Sequence, residues 1–170
     1  MRLTVYTDYA LRLLMYVAVK DDGLATINEV AASYGISKNH LMKVAHQLGL
    51  AGYVETVRGR SGGLRLARPA GSIRLGDVVR HTEQDFALVP CFDPANAECA
   101  IRSCCSLKGA LHRAMAAFIA VLDGYSLADL TKPRMPLRDL LAIESVSGAK
   151  KSAHPPARER ASARGRRTYR

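Results

Sequence analysis

Residues 36–69 read ISKNHLMKVAHQLGLAGYVETVRGRSGGLRLARP, and this stretch decides the architecture. Leu41, Val44, Ala45 and Leu48 recur at helical spacing, so they mark the inner face of a helix. Ser37 stands where an N-cap belongs. Lys38, Asn39, His40 and Lys43 are left at the exposed N-terminal end of that helix. Beyond it, Val54 and Val57 belong to one strand and Leu64 and Leu66 to another, with a loop rich in glycine and arginine between them. Gly59, Gly62 and Gly63 permit a sharp turn and a close approach of backbone to a phosphate. Arg58 and Arg60 supply positive charge at the tip.

Working outward, TINEVAASYG (26–35) opens with Thr26 followed three residues later by Glu29, the pattern of a capping box. Ile27, Val30 and Ala31 face inward, and Gly35 sits where that helix stops. Two short helices joined by a glycine turn, the second polar and basic at its start, form the helix-turn-helix pattern. A basic hairpin directly after it is the wing of a winged helix. Upstream, residues 6–20 read as a helix opened by Thr7 or Asp8, with Leu11, Leu14, Met15 and Ala18 on one face. Downstream, SIRLGDVVRHTE (72–83) is a further short helix packing through Leu75, Val78 and Val79.

A second, longer pattern follows. In SLKGALHRAMAAFIAVLDGYSLADL (106–130), Leu107, Leu111, Met115, Phe118, Ile119 and Leu122 form one stripe. It extends past what one small domain can cover, so pairing with the same helix of a second subunit is expected. The fold class is therefore mainly α with a small β wing: a winged helix-turn-helix DNA-binding domain with a long dimerisation helix. The expected division is 1–83 for the DNA-binding domain, 84–106 for a cysteine-bearing loop, 107–146 for the dimerisation helix and C-terminal segment, and 147–170 for a basic tail. The tail lacks periodicity and hydrophobicity and reads as disordered.

The chain of 170 residues has a formal net charge of +10, concentrated in two places. Residues 147–170 carry eight Lys or Arg against one Glu, and residues 38–80 carry eight against Glu55 and Asp77. Local basicity of this kind attracts phosphate backbones. Ser37, Lys38, Asn39, His40 and Lys43 are the expected helix contacts to double-stranded promoter DNA, and Arg58, Arg60 and Ser61 the wing contacts. Asn39 and His40 suit base edges, while the cations suit phosphates. The apolar run Leu13 to Val19 is too short for a bilayer, and no small-residue cleavage site follows it. A cytoplasmic protein with reduced thiols and no membrane partner is the expectation. No nucleophile–base constellation, phosphate loop or substrate pocket signature is present, which argues against an enzyme.

All four cysteines, Cys91, Cys99, Cys104 and Cys105, fall in CFDPANAECAIRSCC, residues 91–105. The close pairs usual for zinc are absent. Thiolates at these separations suit an iron–sulfur cluster, while a thiol switch through Cys104 or Cys105 stays open. Spacing alone does not choose between Cys104 and Cys105 as a ligand.

Five segments in order, LTVYTDYALRLLMYVA, ISKNHLMKVAHQLGLAGYV, VRGRSGGLRLARP, IRLGDVV and CSLKGAL, together resemble the winged-helix iron–sulfur repressor family, and within it the branch that senses nitric oxide. The resemblance covers about residues 1–145. It implies a homodimeric repressor carrying an iron–sulfur cluster, 4Fe–4S in preference to 2Fe–2S, which releases DNA when nitric oxide destroys the cluster. It also implies Cys91, Cys99 and Cys105 as cluster ligands, Cys105 because it opens CSLKGAL. The fourth ligand implied is Asp8 in TDY, supplied by the other subunit. From the residues alone, Asp8 caps the first helix or pairs with Arg12. A sister branch, which regulates cluster assembly, carries a ligand histidine where Lys108 stands here, and an ammonium group cannot ligate iron. His112, one turn further on, reads as a polar residue of the helix face.

Overall fold

The computed structural model describes residues 2–93, 99–101 and 103–143. The tail expected to be disordered, 147–170, lies outside them. Helix α1, Val5–Val19, is the centre of the fold. Its buried residues Ala10, Leu13, Leu14, Tyr16 and Val17 show a face rotated from the expected one. Leu11, Met15 and Ala18 are only partly buried at the edge of the core. The reason is tertiary, because α1 is enclosed by other elements on several sides rather than lying on a surface. Its start also differs from expectation. Neither Thr7 nor Asp8 opens the helix; Thr4 does, accepting from the Thr7 amide at 3.2 Å. Thr7 is wholly buried, donating to Thr82 Oγ1 at 2.8 Å.

Helix α2, Ile27–Tyr34, has the expected capping box between Thr26 and Glu29 and ends at Gly35 in the left-handed conformation, φ 64°. Helix α3, Lys38–Leu50, buries Leu41, Val44, Ala45 and Leu48, as its spacing predicted. Strands β1, Val54–Val57, and β2, Gly63–Leu66, pair antiparallel with Val54 opposite Leu66 and Glu55 opposite Arg65. A third backbone partner secures this hairpin: Ala25 and Leu64 exchange hydrogen bonds of 2.9 and 2.7 Å. Leu64 thereby sits in the core at 4% exposure.

Helix α4, Leu75–Thr82, packs through Leu75, Val78 and Val79. The chain then passes through a short 3-10 turn, Pro90–Phe92, to the long helix α5, Ser106–Asp123, which has no buried residue in the protomer. Helix α5 meets α4 where Arg80 grips the Asp123 carboxylate through two donors, at 2.7 and 3.2 Å. Helices α6, Leu127–Leu130, and α7, Arg134–Leu140, return to the winged-helix body. Leu127, Leu141 and Ile143 join the same core as α1. Arg138, 6% exposed, donates to the Val19 carbonyl at 3.1 Å and to Asp22 at 2.8 Å. Since α1 has no basic residue in its own last turn, α7 supplies the cations that its final carbonyls favour. No helix among the described residues is long and apolar enough to cross a membrane.

Candidate nucleic-acid interface and thiol loop

The start of α3 is polar and open. Ser37 occupies the N-cap position without making a side-chain cap bond, so its hydroxyl and the first amides of the helix remain available to an outside acceptor. Ser37, Lys38, Asn39, His40 and Lys43 are all exposed, as are Arg58, Arg60 and Ser61 on the wing. The wing glycines act differently from expectation at one point. A Cβ on Gly62 would lie 2.3 Å from the Val57 carbonyl oxygen, so the hairpin's own backbone requires glycine there. Gly59, at φ 121°, completes the reversal.

Packing sorts the basic residues of this region into two sets. Arg65 is paired across the strands with Glu55 at 2.9 Å, Arg68 lies over the Tyr53 ring at 4.4 Å, and Arg80 is held by Asp77 and Asp123. The Arg65 hydrogen bond holds the Glu55 carboxyl below its ordinary range. Lys38, Lys43, Arg58, Arg60 and Arg74 have no ion pair among the described residues. Four of these five surround the helix start and the wing tip, the two places a winged helix presents to a duplex, and Arg74 lies apart from them, just before α4.

Asp8 lies in the first turn of α1 and is half-buried, paired with Arg12 at 2.9 Å. Of the roles open from the residues alone, the structure shows the Arg12 pair and not the cap. The Asp8 hydrogen bond holds the Arg12 guanidinium above its ordinary value. Tyr9, the next residue, stacks against His40 with ring centroids 6.1 Å apart. His40 is therefore shared between the exposed helix start and α1.

All four thiols are unbridged. Cys99 and Cys104 are exposed, and Cys91 and Cys105 half-buried. Cys91 lies in the 3-10 turn and Cys105 at the N-cap of α5. Among the described residues no three His, Cys, Asp or Glu side chains converge on a point where they could share one metal ion. The donors nonetheless fit an iron–sulfur cluster in kind: soft, reachable and free of competing disulfides. His112, expected only as a polar residue of the helix face, instead lies flat on Phe92, with centroids 4.1 Å apart and planes within 7°. Sequence reading missed Tyr9, Phe92 and His112 as contact residues. The available signal was position, since Tyr9 follows Asp8 directly and Phe92 follows Cys91.

A helix-turn-helix with a basic wing and a helical arm defines a winged-helix transcriptional regulator. Residues 3–133 match the model of the Rrf2 family, described as iron-dependent transcriptional regulators, and the chain belongs to that family. It is 48% identical over 143 residues to the HTH-type transcriptional regulator NsrR of Bacillus licheniformis, covering 84% of this chain and 100% of that one. With NsrR of Bacillus subtilis it shares 49% over 145 residues, 85% of this chain and 99% of the relative. Among solved structures, the oxidized form of CymR from Staphylococcus aureus matches with TM-score 0.63 and 27% identity, over 78% of this chain and 97% of that one. The IscR of T. potens shares the fold, with TM-score 0.63 at 24% identity over 78% of this chain and 88% of that one. These relatives carry the names of regulators, and the chain is a regulator rather than an enzyme.

Proposed function

We propose that this chain forms a cytoplasmic homodimeric repressor that holds promoter DNA while loaded with an iron–sulfur cluster and releases it when nitric oxide destroys the cluster. The observation that carries the DNA-binding half is the sorting of cations. Lys38, Lys43, Arg58 and Arg60 stand free at the helix start and wing, while Arg65, Arg68 and Arg80 are engaged within the protomer. Ser37, Asn39 and His40 would then meet the major groove, with Arg58, Arg60 and Ser61 on flanking backbone or minor groove. In the dimer, the two α3 helices would enter successive major grooves ~34 Å apart.

The sensing half rests on the thiol loop and on the similarity to relatives named NsrR. Cys91, Cys99 and Cys105 would hold the cluster, 4Fe–4S in preference to 2Fe–2S, with Asp8 contributed across the dimer. When bound, the cluster would supply an iron with a hard, weakly held oxygen donor, open to a small diatomic ligand. Asp8 would leave Arg12 to serve as that donor, and Cys105 would tie the site to the start of α5. Dimerisation would cover the stripe on α5, where Leu107 is 64% exposed and Leu111, Met115, Phe118, Ile119 and Leu122 are only half-covered, together with the neighbouring exposed Val121.

A thiol-based redox regulator of the same fold is the second reading, favoured by the adjacent unbridged Cys104 and Cys105. One experiment separates the two. The protein is purified without oxygen, its absorption spectrum recorded, and a labelled promoter fragment titrated before and after nitric oxide. The proposed function expects a brown protein whose visible band and promoter affinity are both lost on nitric oxide addition. A colourless protein that binds its promoter at full strength overturns it.

A further inference from the structure

We infer that Phe92 and His112 form an aromatic clasp that positions the Cys91 arm against helix α5, and so act as positioning residues for cluster retention. The inference rests on the iron–sulfur reading above and adds a role for two residues that are not ligands. It starts from the geometry of the loop's two ends. Cys91 and Phe92 share the 3-10 turn whose amides are fixed by Phe92 N–H to the Val89 carbonyl at 3.0 Å and Asp93 N–H to the Pro90 carbonyl at 3.1 Å. Cys105 begins α5, and His112 lies two turns along the same helix. The ring of Phe92 lies parallel to the imidazole, 4.1 Å between centroids. The stack thus joins the first thiol's turn to the helix that carries the last thiol.

The surroundings show that this contact is not part of a general core. The turn and α5 contain no buried residue. Phe92 and His112 instead line an open cleft of about 750 Å³ with Phe86, Leu88 and Met115. No hydrogen bond or ion pair to His112 is present among the described residues, so its role in the protomer is the ring contact. Flat aromatic pairs hold through dispersion and the ring quadrupoles, which phenylalanine provides as well as neutral imidazole. Holding the two ends of a loop together lowers the entropic cost of closing it around a bound group. Without the stack, a bound cluster would carry more of the work of holding the Cys91 turn near α5.

His112→Ala removes the ring, and His112→Phe keeps it while deleting both imidazole nitrogens. In the cluster-free full-length protein, hydrogen exchange at residues 90–93 should quicken roughly five-fold in His112→Ala, the scale of one aromatic pair, and match wild type in His112→Phe. In oxygen-free loaded protein, iron loss to EDTA should quicken by a similar factor in His112→Ala only. Unchanged exchange over residues 5–82 in every variant establishes that the winged-helix body is intact.

A loaded wild type whose His112→Ala twin keeps iron equally long overturns the clasp and leaves the repressor reading standing. Equal exchange at 90–93 in His112→Ala and wild type overturns it too. Loss of iron in His112→Phe as fast as in His112→Ala would make the imidazole nitrogens the active feature, and again the clasp falls. A wild type that takes up no iron overturns the functional reading first, and the positioning role with it.

Discussion

The wing and the thiol loop are both irregular excursions from a helical body, yet they are built on opposite terms. The wing has a four-residue antiparallel ladder, a third backbone partner at Ala25, and Leu64 anchored in the core. The described part of the thiol loop has the 3-10 turn at Pro90–Phe92, a turn closed by the Cys104 amide on the Ile101 carbonyl at 3.1 Å, a ring stack and no buried residue. One excursion is shaped by contacts inside its own protomer and presents its arginines in place. The other carries the proposed donors for a bound group, and none of its described residues is buried. An anchored hairpin beside a loop with no buried residue among its described positions suits the two-state regulator proposed above, because a ligand shifts an equilibrium only through a segment whose structure it changes.

The largest expected contrast comes from Cys105→Ser. It should leave the thermal midpoint within about 1 °C of wild type, the usual outcome for a change outside the core, while iron per protomer falls to background. Cys104→Ser should retain iron. Metal analysis of oxygen-free preparations reads both, and iron retained in Cys105→Ser would remove Cys105 from the proposed ligand set.

Leu64→Ala tests the other side. Truncating an anchored core leucine should cost about 3 kcal/mol of stability in urea or thermal melts. A cost near that of a surface change would mean the wing is no firmer than the loop.

Within the wing, Arg60→Ala should weaken binding to every promoter site alike, roughly ten-fold, and reduce the salt slope by about 1. Arg65→Ala should do far less, since that guanidinium is already paired with Glu55. Titrations at several salt concentrations make the comparison. Relaxed preference at a single base position in Arg60→Ala would reassign it from phosphate to base contact.

The smallest effect concerns how α5 is attached. Hydrogen bonding from Arg80 holds the Asp123 carboxyl below its ordinary value of 3.8. A depressed carboxylate contributes fully above that value and loses its contribution as pH falls through the folded-state value. Both groups are exposed, so the change should be at most a few-fold in the amide protection factor over residues 120–123, taken relative to intrinsic exchange at each pH, between pH 6 and 3. Asp123→Asn should remove that pH-dependent change in protection.

Much of the reader was legible in the chain. The unpaired cations and the exposed start of α3 lie where the pattern of Lys38 to Arg60 put them, and the thiols lie in one short segment of sequence. What could not be read was which arginines were already engaged. Arg65 and Arg68 look like Arg58 and Arg60 as letters, and only the register with Glu55 and the Tyr53 ring tell them apart. The stack of Phe92 on His112 was hidden for the same reason, since neither residue belongs to the other's local pattern.

By itself the sequence determined the elements whose causes are local. Thr26 and Glu29 cap one helix, Gly35 ends it, Leu41 to Leu48 face inward, and the glycines of 59–63 turn a hairpin. Each depends on residues within one or two turns of one another, so spacing carries the information. Tertiary structure alone decided which face of α1 is buried, that Thr4 caps it with Glu83 accepting from Thr4 at 2.8 and 3.1 Å, and that α7 returns Arg138 to the end of that helix. Those contacts join residues some 80 to 120 positions apart, and their energy depends on how whole elements pack. No period in the chain records that.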